Sequence, residues 1–225
     1  MTNERKRIAL LVPSSSITME NDLHYALSKS RYVVSTDRMY LVETTREGET
    51  AMIEKYARPA AKDLGTTNPD LLVFGCTSVG ALYGLEHDAA FCDELGELAG
   101  CPALGTMNAV SESIISSGAR RIALITPYNE ELTAAVARAL ERDGRQVVAA
   151  HGMGITVNVE LNDPRPDEIV EFAKSKLKDQ SFDTLFASCT SWRALEAKQD
   201  LEKLFDRRVI TSNSAVLESI EGRFA

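Results

Sequence analysis

Short apolar runs alternate along the chain with segments whose apolar residues recur every three or four positions. Runs of the first kind read as buried strands. They are 7–12 (RIALLV), 32–35, 71–74 (LLVF), 102–107, 121–127, 145–148, the stretch just before Cys189, and 208–212. Residues 39–43 read as one further extended piece. Segments of the second kind read as helices. They run from the turn at 14–18 to about 30, over 49–64, within 88–99, over 108–117, from about 130 to 142, and over 167–178. Another follows each of Cys76 and Cys189. The 49–64 segment carries Met52, Ile53, Tyr56, Ala60 and Leu64 on one side, and Pro59 is expected to kink it. Gly65, Gly100 and Gly118 stand where helices end. Strands and helices in this alternation imply parallel sheets with helices on both faces.

The pattern also occurs twice. Residues 70–82 (DLLVFGCTSVGAL) and 183–195 (DTLFASCTSWRAL) align without a gap at an offset of 113, which lays Cys76 on Cys189. RIALLVP at 7–13 returns as RIALITP at 121–127, and RYVV at 31–34 as RQVV at 145–148, both at an offset of 114. Residues 152–161 correspond to the region around 39–45. Segments repeating in order at a nearly constant offset make an internal duplication. The fold expected is therefore α/β, with two pseudo-symmetric lobes. The first covers 1–111 plus 211–225 and carries Cys76. The second covers 112–210 and carries Cys189. A cleft between them is a favoured place for a ligand.

Composition narrows the functions. The chain has 225 residues, 44% of them hydrophobic, and a net charge of −8. That charge argues against a nucleic-acid or anionic-membrane partner. No apolar run approaches the ~20 residues of a membrane span. The basic N-terminus precedes an apolar run too short for a signal peptide, so a cytoplasmic protein is expected. The four cysteines show no C-x-x-C spacing. Cys92 and Cys101 read as structural, and no disulfide is expected.

Cys76 and Cys189 each follow a strand and precede a helical pattern. The free N–H groups at a helix start favour thiolate over thiol. Two opposed thiols can divide a reaction. One adds to a carbon or takes its proton, and the other delivers a proton on the opposite face. A carbon beside a carboxylate would pass through an enediolate, which oriented N–H and hydroxyl groups stabilise. Thr77, Ser78, Thr190 and Ser191 stand where such donors are needed. The turn at Ser14, Ser15 and Ser16 is a candidate anion-binding loop. His24, His87 and His151 show no ligand spacing, so no metal is expected. No G-x-G-x-x-G or P-loop appears, so no nucleotide cofactor is expected either.

Five motifs carry a resemblance over nearly the whole chain. They are VPSSSITME at 12–20, GCTS at 75–78, TPY at 126–128, GITVN at 154–158 and SCTS at 188–191. Together they resemble the aspartate/glutamate racemase superfamily, within the group holding maleate cis–trans isomerases and arylmalonate decarboxylases. The resemblance implies flavodoxin-like lobes, chemistry without a cofactor, a small carboxylic acid as substrate, and a homo-oligomer. It implies that Cys76 attacks a double bond and that Cys189 handles protons. It places Tyr128 and Asn158 on substrate carboxylates. Maleate isomerases usually carry asparagine where this chain has Ser16. Arylmalonate decarboxylases carry glycine where it has Cys76, which disfavours simple decarboxylation. An isomerase converting maleate to fumarate is therefore expected, with an amino-acid racemase, a decarboxylase and a non-catalytic carboxylate-binding protein as alternatives.

Overall fold

A computed structural model describes residues 5–141 and 144–225; the expected helix end at Arg142 lies outside them. The first half builds one parallel sheet from β1 (Lys6–Pro13), β2 (Tyr32–Met39), β3 (Leu71–Phe74) and β4 (Ala103–Gly105), ordered β2-β1-β3-β4. The second half repeats it with β5 (Arg121–Tyr128), β6 (Gln146–Ile155), β7 (Thr184–Ala187) and β8 (Arg208–Thr211), ordered β6-β5-β7-β8. The register repeats as well. Leu10 lies opposite Val73, and its counterpart Leu124 lies opposite Phe186.

Ten α-helices cover the sheets among the described residues. They are α1 (Thr18–Ala26), α2 (Arg46–Met52), α3 (Arg58–Gly65), α4 (Thr77–Tyr83), α5 (Leu85–Ala99), α6 (Thr106–Ser117), α7 (Glu130–Leu140), α8 (Pro166–Leu177), α9 (Ala194–Phe205) and α10 (Ser212–Arg223). None is long and apolar enough to cross a membrane.

Strand side chains alternate between faces. Ile8, Leu10, Val12, Leu71 and Val73 enter a core shared with the whole second sheet and with α6, α7 and α10. Ala9, Leu11, Leu72 and Phe74 face the other way, into a smaller core under α3 and α5. A fully buried side chain such as Phe74 contributes about 1.5–3 kcal/mol of apolar transfer. The two lobes thus share one continuous apolar interior.

Three local expectations change. β2 runs to Met39, and the piece beyond it is a loop, joined to the second lobe by an antiparallel bridge between Glu43 and Val157. The expected 49–64 helix begins earlier, because the Thr45 side chain accepts from Gly48 N and caps α2. The break before Pro59 is one wide π turn, Ile53–Ala57, after which Pro59 falls in the first turn of α3. A proline there has no N–H to donate, and the wide turn absorbs the missing bond. Finally, Cys76 stands immediately before α4 as expected, whereas Cys189 is followed by a turn and α9 starts only at Ala194.

Candidate active site

Two residues past the ends of β3 and β7 stand Cys76 and Cys189, at the C-terminal edge of each sheet, where α/β folds present ligand-binding residues. Cys76 and Cys189 are each 2% exposed. Burial, then Cys189, Cys76 and Glu49 push the Tyr128 hydroxyl well above its ordinary value. Both sulfurs therefore lie within electrostatic reach of one tyrosine.

On the first side, Cys76 Sγ accepts from the Val79 amide. It lies 3.5 Å from Glu49 Oε2 and 3.2 Å from Ser78 Oγ. Ser78 Oγ in turn donates to Glu49 Oε1. Glu49 is fully buried, and burial pushes its carboxyl up to about 7. Its place is set by the start of α2, where Glu49 N donates to Thr45 O. Gly48 is needed there, since a Cβ would lie 2.4 Å from Glu43 O.

On the second side, Cys189 Sγ accepts from the Ser191 amide at 3.3 Å, and the Tyr128 hydroxyl and the Trp192 amide also favour its charged form. Cys189 takes a φ of 153°, which L-residues rarely adopt, and such strain gathers at functional sites. At Tyr128 the register between β5 and β6 shifts, with the extra residue in β6. Thr126 pairs with Gly152 and Tyr128 with Ile155, around a Pro127 that cannot donate to the ladder. A Cβ on Gly152 would lie 2.2 Å from Tyr128 O, so only glycine admits this approach.

The expectation of a thiolate at Cys76 is corrected. Burial, then the Glu49 carboxylate, pushes its thiol well above the ordinary range. Burial likewise pushes Cys189 up to about 12, against the lowering effect of Tyr128 and the two amides. Backbone amides do act on both sulfurs, from the start of α4 at Cys76 and from the turn after Cys189, but desolvation outweighs them.

The remaining expected residues fall into two groups. Thr77, by way of Ser212, and Thr190 link the chain around the two cysteines. Thr77 Oγ1 donates to Ser212 Oγ at 3.0 Å, and Ser212 Oγ accepts from Cys189 N. Thr190 Oγ1 donates to Gly75 O at 3.2 Å. Ser191 O accepts from Thr18 Oγ1. The second group forms a polar wall. Asn158 Nδ2 donates to Ser15 Oγ at 2.6 Å, and Asn158 Oδ1 accepts from Thr44 Oγ1 at 3.1 Å. The Ser16 hydroxyl is fully buried and has no hydrogen-bond partner among the described residues, as a group awaiting a ligand would have none. Backbone bonds from Thr44 N to Thr156 O and from Asn158 N to Val42 O close the same wall, both at 2.8 Å.

Sequence reasoning missed Glu49, Thr44 and Ser212. Glu49 had a legible signal. It precedes Met52 and Ile53 by three and four positions, so it shares the buried face of its helix. An acid on that face needs a reason. Thr44 and Ser212 act through contacts between the lobes that no local pattern encodes.

The profile of the arylmalonate decarboxylase family matches residues 8–222. A maleate isomerase from Geobacillus stearothermophilus is 25% identical over 227 residues, spanning 95% of this chain and 90% of its own. Among solved structures, a variant of the Pseudomonas putida S16 maleate isomerase with maleate superimposes with a TM-score of 0.88 at 21% identity. It covers 96% of this chain and 91% of that one. A Nocardia farcinica maleate cis–trans isomerase variant with a covalently bound succinylcysteine intermediate gives 0.86 at 22% identity, with the same coverage.

Proposed function

The chain belongs to the arylmalonate decarboxylase family, and we propose that within it this protein is a cofactor-independent isomerase converting maleate to fumarate. The carrying observation is the pair of buried sulfurs set against one tyrosine hydroxyl. A decarboxylase needs one thiol; two suit addition and proton return on opposite faces.

In this reading Cys76 adds to one alkene carbon, and the neighbouring carbon becomes part of an enediolate. Cys189 gives that carbon its proton, forming a succinyl thioether. The former double bond is now single and rotates. Cys189 takes the proton back, the carbon–sulfur bond breaks, and fumarate leaves. Tyr128, with the Ser78 amide and the Ser191 hydroxyl, stabilises the charge that builds on one carboxylate. Ser15, Ser16 and Asn158 receive the other. Thr77 and Thr190 offer backbone N–H groups, since their hydroxyls are engaged by Ser212 Oγ and Gly75 O.

The site lies between a first lobe of 1–111 plus 211–225 and a second of 112–210. α10 packs on α1, which supports giving the C-terminal segment to the first lobe, and on α6, which spans the boundary. We also read the protein as a cytoplasmic homo-oligomer, to be checked by light scattering. The deciding experiment is proton NMR of the purified protein with maleate. The maleate signal should give way to that of fumarate, and an unchanged spectrum from folded protein overturns the reading. A panel of amino acids in D2O tests the racemase alternative, which would exchange the α-proton for deuterium.

A further inference from the structure

The least expected group beside either sulfur is a carboxyl. Glu49 is fully buried, and its two oxygens divide their contacts. Oε2 lies 3.5 Å from Cys76 Sγ, while Oε1 accepts from Ser78 Oγ. A nucleophile, an acceptor for its proton, and a third group orienting that acceptor is the arrangement that activates weak nucleophiles. Among the described residues, the groups acting on Glu49 are Ser78 and Cys76, and no cation is among them. The more distant Tyr128 and Cys189 also feel its charge. Without a cation nearby, a buried Cys76 cannot shed its proton to solvent cheaply. The proton must have a neighbour to go to.

We propose that Glu49 is a catalytic residue that takes the thiol proton of Cys76 as the sulfur attacks and returns it when the sulfur leaves. The S–H bond breaks as an O–H bond forms on Oε2, and the freed electron pair on sulfur makes the bond to carbon. On release the carbon–sulfur bond returns its pair to sulfur, and Oε2 gives the proton back. Net charge in the buried site changes only by what the substrate brings, so the step avoids isolating a thiolate in a low-dielectric interior. A carboxyl titrating near neutrality suits this exchange in both directions. For its substrate the inference rests on the maleate reading; for the proton transfer it rests on the Cys76–Glu49–Ser78 geometry alone.

A rival role predicts the opposite sign. A carboxylate that is merely a neighbour repels the thiolate, so removing it would make Cys76 more reactive. The test is E49Q, which keeps the shape and the acceptor oxygen for Ser78 but cannot hold the proton. Two readouts are compared with the unaltered chain: maleate turnover across pH, and iodoacetamide alkylation of Cys76 followed by peptide mass spectrometry. Both should slow by about 100-fold near neutrality. The pH profile of alkylation should also move to the alkaline side, and E49D should recover part of the loss. Alkylation that is unchanged or faster in E49Q overturns the proposal. If the unaltered chain leaves maleate untouched, the substrate reading fails, and the alkylation comparison still decides the role of Glu49.

Discussion

The two halves place the same tetrad of strand end, cysteine, threonine and serine at the same sheet edge, yet surround the sulfurs differently. Cys76 faces a proton acceptor, Glu49. Cys189 faces a proton donor, the Tyr128 hydroxyl, together with two amides. Tyr128 itself stands, at an offset of 114, where the first half has Ser14. A duplicated scaffold has thus kept its chemistry paired while making the pair unequal. An acceptor beside one thiol favours attack by that sulfur. Donors beside the other favour a sulfur that gives up a proton and holds the resulting charge.

The inequality can be broken one side at a time. Cys76→Ser should cost on the order of 10⁴-fold or more in turnover, and no adduct with maleate should form. Cys189→Ser should cost about 10²–10⁴-fold, but here Cys76 still adds. Mass spectrometry should then find Cys76 carrying the mass of one maleic acid. Equal behaviour of the two variants would erase the distinction. Tyr128→Phe should lose about 10²-fold while sharing the Cys189→Ser signature, an adduct that forms and lingers.

Thr190→Val tests the scaffold rather than the chemistry. It leaves Gly75 O without its partner, at about 1–3 kcal/mol, and should lower Tm by roughly 3–10 °C. The smallest effect concerns pH. Burial raises Asp22 to about 6 and Asp88 and Glu49 to about 7. The folded chain therefore binds more protons than the unfolded one between about pH 4 and 7. The stability these acids contribute is whole below their unfolded values and is lost as pH rises through 6 to 7. Asp88→Asn should flatten the fall in Tm across that window, measured by calorimetry.

Duplication made the architecture readable. Three segments returning at offsets of 113 and 114 foretold two like sheets, and the two cysteines fell at their edges. The repeat also misled. It suggested a helix directly after Cys189, and the two copies differ there. Gly80 lets α4 pack on α6, where a Cβ would lie 2.7 Å from Met107. The second copy has Arg193 at the matching position, and its helix α9 begins only at Ala194. Charge states were not readable either. A motif shows that amides will point at a sulfur; only the packed interior shows that burial and Glu49 overrule them.

The short pairing of residues 42–44 with 156–158 lies beside Val42 and Val159, both more than half exposed, so it sits at the surface while the sulfurs sit beneath. We expect an acid to reach them, and its product to leave, where that clasp parts, so that the site is sealed while bonds change and ajar between turnovers. Thickening the solvent should slow the whole cycle even though no proton or carbon notices the viscosity.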